Sequence, residues 1–176
     1  MLNFSEQQLV DCSFPYYNDG CRGGELSYAY QYLSNYKATV LENYPYTAKD
    51  QACKYYTTYY RPGPKLFKYS EQNNTNVNSL KQMIHNNVVS VAVEAKSWKL
   101  YTGGVFDETQ CGEEIDHGVA IVGYDSGENY WLIKNSWGER WGDKGYIKLP
   151  ITTPKKEFKD GACGVLNRPS YPWLQD

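Results

Sequence analysis

The sequence predicts an α+β fold in two lobes, a helical lobe over residues 1–66 and a β-barrel-like lobe over residues 67–176. Helical periodicity marks Ser5–Asp11 and Glu25–Tyr36, whereas from about Phe67 onward strand patterns dominate around one further helix, Val77–Asn86. The composition shifts at Tyr59-Tyr60-Arg61-Pro62-Gly63-Pro64, whose two prolines cannot join a central strand, and this loop is taken as the boundary. A chain of 176 residues can bury one substantial core or two small ones.

Ser5 stands at the N-cap of the first helix, and Gln8, three residues on, completes a capping box. In Gly20-Cys21-Arg22-Gly23-Gly24, adjacent glycines permit close approach of an extended peptide backbone; the alternative is a plain turn before the next helix. Glu25–Tyr36 places Leu26, Ala29, Tyr30 and Leu33 on one face, which reads as core. Val77–Asn86 buries Leu80, Met83 and Ile84 and turns His85 to solvent. Val88–Ala95 alternates as a strand, and Val119–Tyr124 with Tyr130–Lys134 reads as a hairpin across the polar turn 125–129. A turn rich in glycine and tryptophan then leads into a strand at Tyr146–Leu149.

That hairpin carries the chemistry. His117 precedes its first strand and Asn135 closes its second, so antiparallel pairing brings an imidazole beside an amide oxygen. An imidazole held in one tautomer and orientation is what a general base needs. Trp137 stands ready to cover the pair from water, where a low dielectric strengthens the bond. The plain alternative is a structural histidine in an ordinary hairpin.

The segments DHGVAIVGY and NYWLIKNSWGERWGDKGYIKL closely resemble the histidine and asparagine regions of papain-like cysteine proteases, the group of cathepsin L and aleurain. The resemblance extends to SEQQLVDC, NYPYTAKDQACK and YTGGVF. It implies a two-lobed papain-like fold with the active-site cleft between the lobes and a cysteine endopeptidase acting on polypeptides, with protein inhibitors as further cleft ligands. It also implies His117 as base, Asn135 as its orienter and Trp137 as their shield. No pair of histidines suits an exopeptidase occluding loop. In the family, SEQQLVDC follows an upstream stretch bearing the nucleophilic cysteine and the oxyanion-hole glutamine, and neither is present here, so this chain is expected to be inactive as written.

Five cysteines, an odd number, leave one thiol to explain. The resemblance implies Cys12–Cys53 and Cys111–Cys163 disulfides, with the partner of Cys21 in the upstream segment. Cys12 or Cys21 as nucleophile is disfavoured: Cys12 ends a helix, where the dipole opposes a thiolate, and Cys21 lies in a glycine-rich loop. The family's substrate contacts fall on Gly23 and Gly24, with Asp116 beside the histidine. Its specificity pocket falls on Glu25, Leu26, Ala92 and Ile115, with Arg168 at the floor. An inward Arg168 needs a partner, either Glu25 or an acidic substrate group, and the alternative is that it extends to solvent.

Bulk properties exclude other classes. Net charge is −2 with no Lys/Arg block, so nucleic acid and anionic membranes are not expected partners. No stretch approaches the ~18 apolar residues of a membrane span, no targeting signal is visible, and neither cofactor nor metal is expected; Cys111 and His117 lack a second ligand pair with zinc-like spacing. The 18 tyrosines serve packing, since no matching cations accompany them. Lysosomal, vacuolar or secreted localisation follows from the resemblance alone. The competing function is a non-catalytic binding or structural module of the same fold.

Overall fold

Ser5 begins the first helix as expected: its hydroxyl accepts from the Gln8 N–H at 3.0 Å, capping α1 (Glu6–Cys12). The reciprocal half of the capping box does not form. Gln8 is only 1% exposed, and its side chain serves a neighbouring segment instead. Its Nε2 donates to Lys37 O at 2.9 Å, and its Oε1 accepts from the N–H and hydroxyl of Thr39, both at 2.7 Å. Those backbone groups belong to no helix or long strand, and burying them unpaired is costlier than losing one cap bond.

The computed structural model describes residues 2–55, 63, 66–152 and 159–174. Two compact units emerge: Met1–Ser70 with Pro172–Asp176, and Glu71–Tyr171. The division thus falls between Ser70 and Glu71, and the chain's last residues join the first unit. The proline loop expected to mark it lies, Gly63 apart, outside the described residues.

The first unit holds α1, α2 (Leu26–Asn35) and several short 3-10 turns. Its apolar cluster is small and mostly aromatic: Cys12, Tyr32, Tyr44 and Tyr55. The expected core face of α2 is corrected here. Leu26, Ala29, Tyr30 and Leu33 are only half-buried, Leu33 packing against the cluster as expected, whereas Tyr32 and Ser27 are the buried positions. Ring area decides this, because Tyr32 stacks on Tyr36 at 4.9 Å, meets Tyr16 edge-on at 5.7 Å, and accepts from Gln8 Nε2 through its hydroxyl.

Around those rings runs a buried polar network. Gln7 Nε2 donates to Asp11 Oδ1 and Lys49 O, and its Oε1 accepts from Thr47 N. Asp11 also accepts from the Tyr44 hydroxyl at 2.7 Å and from Gln51 N at 3.0 Å. Burial first, and then the hydrogen bond and negative charge of Asp11, push the Tyr44 phenol up to about 12.

The second unit is built on strands. Two strands, β1 (Leu66–Glu71) and β6 (Ser170–Leu174), lie mostly in the first unit, whereas the second holds β2 (Val89–Val93), β3 (His117–Asp125), β4 (Tyr130–Lys134) and β5 (Tyr146–Pro150), side by side in that order and each antiparallel to the next. β2 to β5 lie wholly in this unit. Alternation delivers Val89, Val91, Val93, Val119, Ile121, Trp131, Ile133, Ile147 and Leu149 to one core, with Leu80, Met83 and Ile84 from α3 (Val77–Asn86) joining them. Each such aliphatic side chain stabilises by about 1.5–3 kcal/mol when fully buried. His85 is exposed. Disulfides join Cys12 to Cys53 and Cys111 to Cys163, one within each unit, leaving Cys21 free and exposed. Loops of this length lose about 4 kcal/mol of unfolded-state entropy each. Among the described residues no helix is long and apolar enough to cross a membrane.

Candidate active site

His117 opens β3, where its backbone pairs with Val93 at the end of β2, and Asn135 directly follows β4. His117 Nε2 and Asn135 Oδ1 are 2.8 Å apart. The same Oδ1 accepts from the Ser136 N–H at 2.8 Å. A backbone N–H only donates, so the oxygen rather than the amide nitrogen must face this point. The bond then requires Nε2 to carry the proton, and in the neutral ring Nδ1 keeps its lone pair. Asn135 Nδ2 is buried without a hydrogen-bond partner among the described residues. Rotating the amide would set that NH2 against the Ser136 N–H, so the observed orientation is the cheaper one.

Asn135 is 8% exposed and is fixed at its backbone by donation to Gly145 O at 3.0 Å. Gly145 and Gly142 adopt positive φ in the returning turn, and a Cβ at Gly142 would come within 2.6 Å of Tyr146 O. The turn is roofed by rings. Trp137, 39% exposed, lies 5.2 Å from the His117 ring and 5.0 Å, edge-on, from Trp141. Trp141 Nε1 donates to Trp98 O, and Trp98 Nε1 donates to Cys163 Sγ at 3.3 Å. The candidate base therefore rests against an aromatic wall that ends on a disulfide.

Ala92 lies on β2, its backbone in register with Gly118. Ile115 lies against Gly164, where an added Cβ would meet Ile115 Cδ1 at 2.3 Å. Asp116 Oδ1 accepts from Ala95 N at 2.8 Å. Arg168 donates to Glu71 Oε1 at 3.1 Å, a carboxylate partner that the sequence reading did not name.

In the first unit, Gly23 has φ +112, and a Cβ at Gly24 would meet Asn18 Oδ1 at 2.1 Å. Asn18 Oδ1 accepts from Glu25 N, the residue that precedes α2 and Leu26. Arg22 forms a bidentate pair with Asp19, which lowers the Asp19 carboxyl below its ordinary value through the hydrogen bond and charge of the guanidinium. The Cys21 thiol is pushed up by desolvation, then by its hydrogen bond to Asp50 and that carboxylate's charge. A raised thiol is the opposite of an activated one.

Sequence reasoning overlooked Glu94, which it had counted as one residue of the strand Val88–Ala95. A charged residue closing an alternating apolar run was the visible signal.

A family profile described as papain family cysteine protease matches residues 1–173. A thiol protease of Hemerocallis sp., SEN102, is 38% identical over 98% of this chain and 48% of its own length. A cathepsin L-like peptidase of Aedes aegypti is 38% identical over 98% of this chain and 51% of its own length. The chain thus spans about half the length of the curated relatives it matches. The crystal structure of the Carica candamarcensis cysteine protease CMS1MS2 in complex with E-64 superposes with a TM-score of 0.88 at 38% identity, over 99% of this chain and 79% of that one. Bromelain from Ananas comosus, in complex with the E64 inhibitor, follows at 0.86 and 30% identity, over 99% and 80%.

Proposed function

From the chain's membership of the papain family of cysteine proteases, we propose that it supplies the base and orienter of a Cys-His-Asn endopeptidase whose nucleophile is not among its five cysteines. The observation that carries this reading is the His117–Asn135 pair, 2.8 Å apart with the Nε2 proton fixed by the second bond to Asn135. Four cysteines are in disulfides, and the Cys21 thiol is raised rather than lowered. The nucleophilic thiol gives its proton to His117 Nδ1, and the thiolate attacks the peptide carbonyl carbon. The C–N bond breaks as imidazolium His117 returns that proton to the departing amine, leaving an acyl thioester. Water then attacks the thioester, with His117 taking its proton and passing it to the regenerated thiolate. Asn135 holds the ring in line throughout, and Trp137 limits water around the pair.

Gly23 and Gly24 are read as pairing with substrate backbone, together with Asp116. In the second unit Ala92 and Ile115 are read as contacts of a substrate side chain with Arg168 beneath them, and in the first unit Glu25 and Leu26 are read as further substrate contacts. Glu71 already balances the Arg168 charge, so an acidic substrate group must compete with it, and Arg168→Ala tests the assignment through peptide selectivity. A polypeptide or protein inhibitor is the partner class, Cys21 is read as joined to a segment beyond this chain, and the compartment is secretory, vacuolar or lysosomal. The two disulfides support an oxidising compartment.

The test is kinetic. With the full-length protein and a fluorogenic peptide, His117→Ala should lower kcat/KM by about 10²–10⁴-fold, and the 176-residue chain alone should show no turnover. Undiminished activity in His117→Ala overturns the assignment. A folded full-length protein without turnover favours the binding-module reading.

A further inference from the structure

Glu94 is a carboxylate only 2% exposed, and it follows Val93, the residue of β2 in register with His117. Burying a carboxylate is costly unless its oxygens are satisfied, and here they are. Oε1 accepts from Ser97 N at 3.2 Å; Oε2 accepts from the Ser97 hydroxyl at 2.8 Å and from Gly112 N at 2.9 Å. The Glu94 backbone N–H donates to Cys163 O at 2.9 Å. One side chain therefore ties together the turn after β2 and the segment Gly112–Asp116, while its own backbone is tied to the half-cystine that anchors Cys111.

The lacing continues along the segment. Asp116 N donates to Val93 O at 3.0 Å and Asp116 Oδ1 accepts from Ala95 N at 2.8 Å, while Lys96 Nζ lies 2.6 Å from Glu114 Oε2 and 3.9 Å from Asp116 Oδ2. Gly112–Asp116 is not a strand, so its N–H groups lack a ladder. Both Glu94 oxygens face donors, and only a group that accepts on both fits that arrangement. Glutamine has the same length but would turn an NH2 toward the Gly112 or Ser97 N–H.

We propose that Glu94 is a positioning residue for His117: its carboxylate fixes the Gly112–Asp116 segment, and through it the ring orientation that lets Nε2–H meet Asn135. Glu94 touches neither the ring nor any reacting group; it acts through the backbone that leads directly into His117. This rests on His117 as the base read above, but the geometry it concerns is present in this chain without a nucleophile.

The chain's two histidines allow a clean test by nitrogen-15 NMR, with exposed His85 as internal reference. In the unaltered chain His117 should show the tautomer protonated at Nε2 and a slowly exchanging Nε2–H. In Glu94→Gln that signal should exchange at least tenfold faster and the tautomers should mix, with His85 unchanged. Should Glu94→Gln fail to fold, Ser97→Ala, which removes one of the three bonds, should give a smaller change in the same direction. A folded Glu94→Gln with an unaltered His117 signal overturns the proposal, provided Asn135→Ala does alter it. Because the readout needs no turnover, inactivity of the full-length protein would leave this result standing.

Discussion

The two units solve the same problem, burying backbone beside side chain, by opposite means. In the first, the interior is a network: Gln7, Gln8 and Asp11 satisfy the backbone of 37–39 and 47–51, and tyrosine rings fill the spaces. In the second, the sheet satisfies its own backbone, and the interior is aliphatic and aromatic. The difference teaches where each tolerates change. A network is sensitive to the chemistry of a group at constant shape, whereas a packed core is sensitive to its volume.

Truncation in the packed core should have the largest effect. Ile133→Ala, on a side chain with no exposure, should cost about 4 kcal/mol, while Ile133→Leu should cost less than about 1.5 kcal/mol. Four of the five tryptophans belong to the second unit, so urea unfolding followed by tryptophan fluorescence reads it. Equal costs for the two substitutions would break the comparison. Next comes an isosteric change in the network. Gln8→Leu keeps the volume but orphans the Thr39 N–H and Lys37 carbonyl, and should cost about 3 kcal/mol; amide hydrogen exchange at Thr39 should speed up accordingly. A neutral outcome would mean that the network fills space without specifying structure.

The smallest effect sharpens the contrast through pH. The folded Tyr44 pKa, about 12, lies above the unfolded value of 10. Stability from this group is therefore fully present below pH 10 and lost as pH rises through about 12, a total on the order of 2 kcal/mol. Tyr44→Phe should flatten that limb of the stability curve. A persisting decline of the same size would assign it to another group.

The same contrast explains what was legible. The hairpin announced itself because strand alternation and histidine and asparagine at its ends are local signals, and Val77–Asn86 because its aliphatic stripe is its buried face. The face of α2 was misjudged because tyrosines lie all round that helix, so periodicity did not single out Tyr32, the residue of α2 that buries most. Gln8 looked like half a capping box because its true partners, residues 37–39, are distant in sequence. The partners of Glu94 and of Arg168 were hidden for the same reason, since each bond joins segments whose spacing carries no periodic trace, although the charge at the end of an alternating run marked Glu94 itself.

The central claim is that this chain holds the base and its orienter while the nucleophile lies elsewhere, and Cys21 is the handle on it. Non-reducing peptide mapping of the native protein by mass spectrometry asks what Cys21 is bonded to. A disulfide from Cys21 to a peptide outside these 176 residues, one that also carries a second, free cysteine, is the result this account predicts. A free Cys21 in a protein whose intact mass corresponds to Met1–Asp176 would contradict it and leave His117 without a thiol to activate.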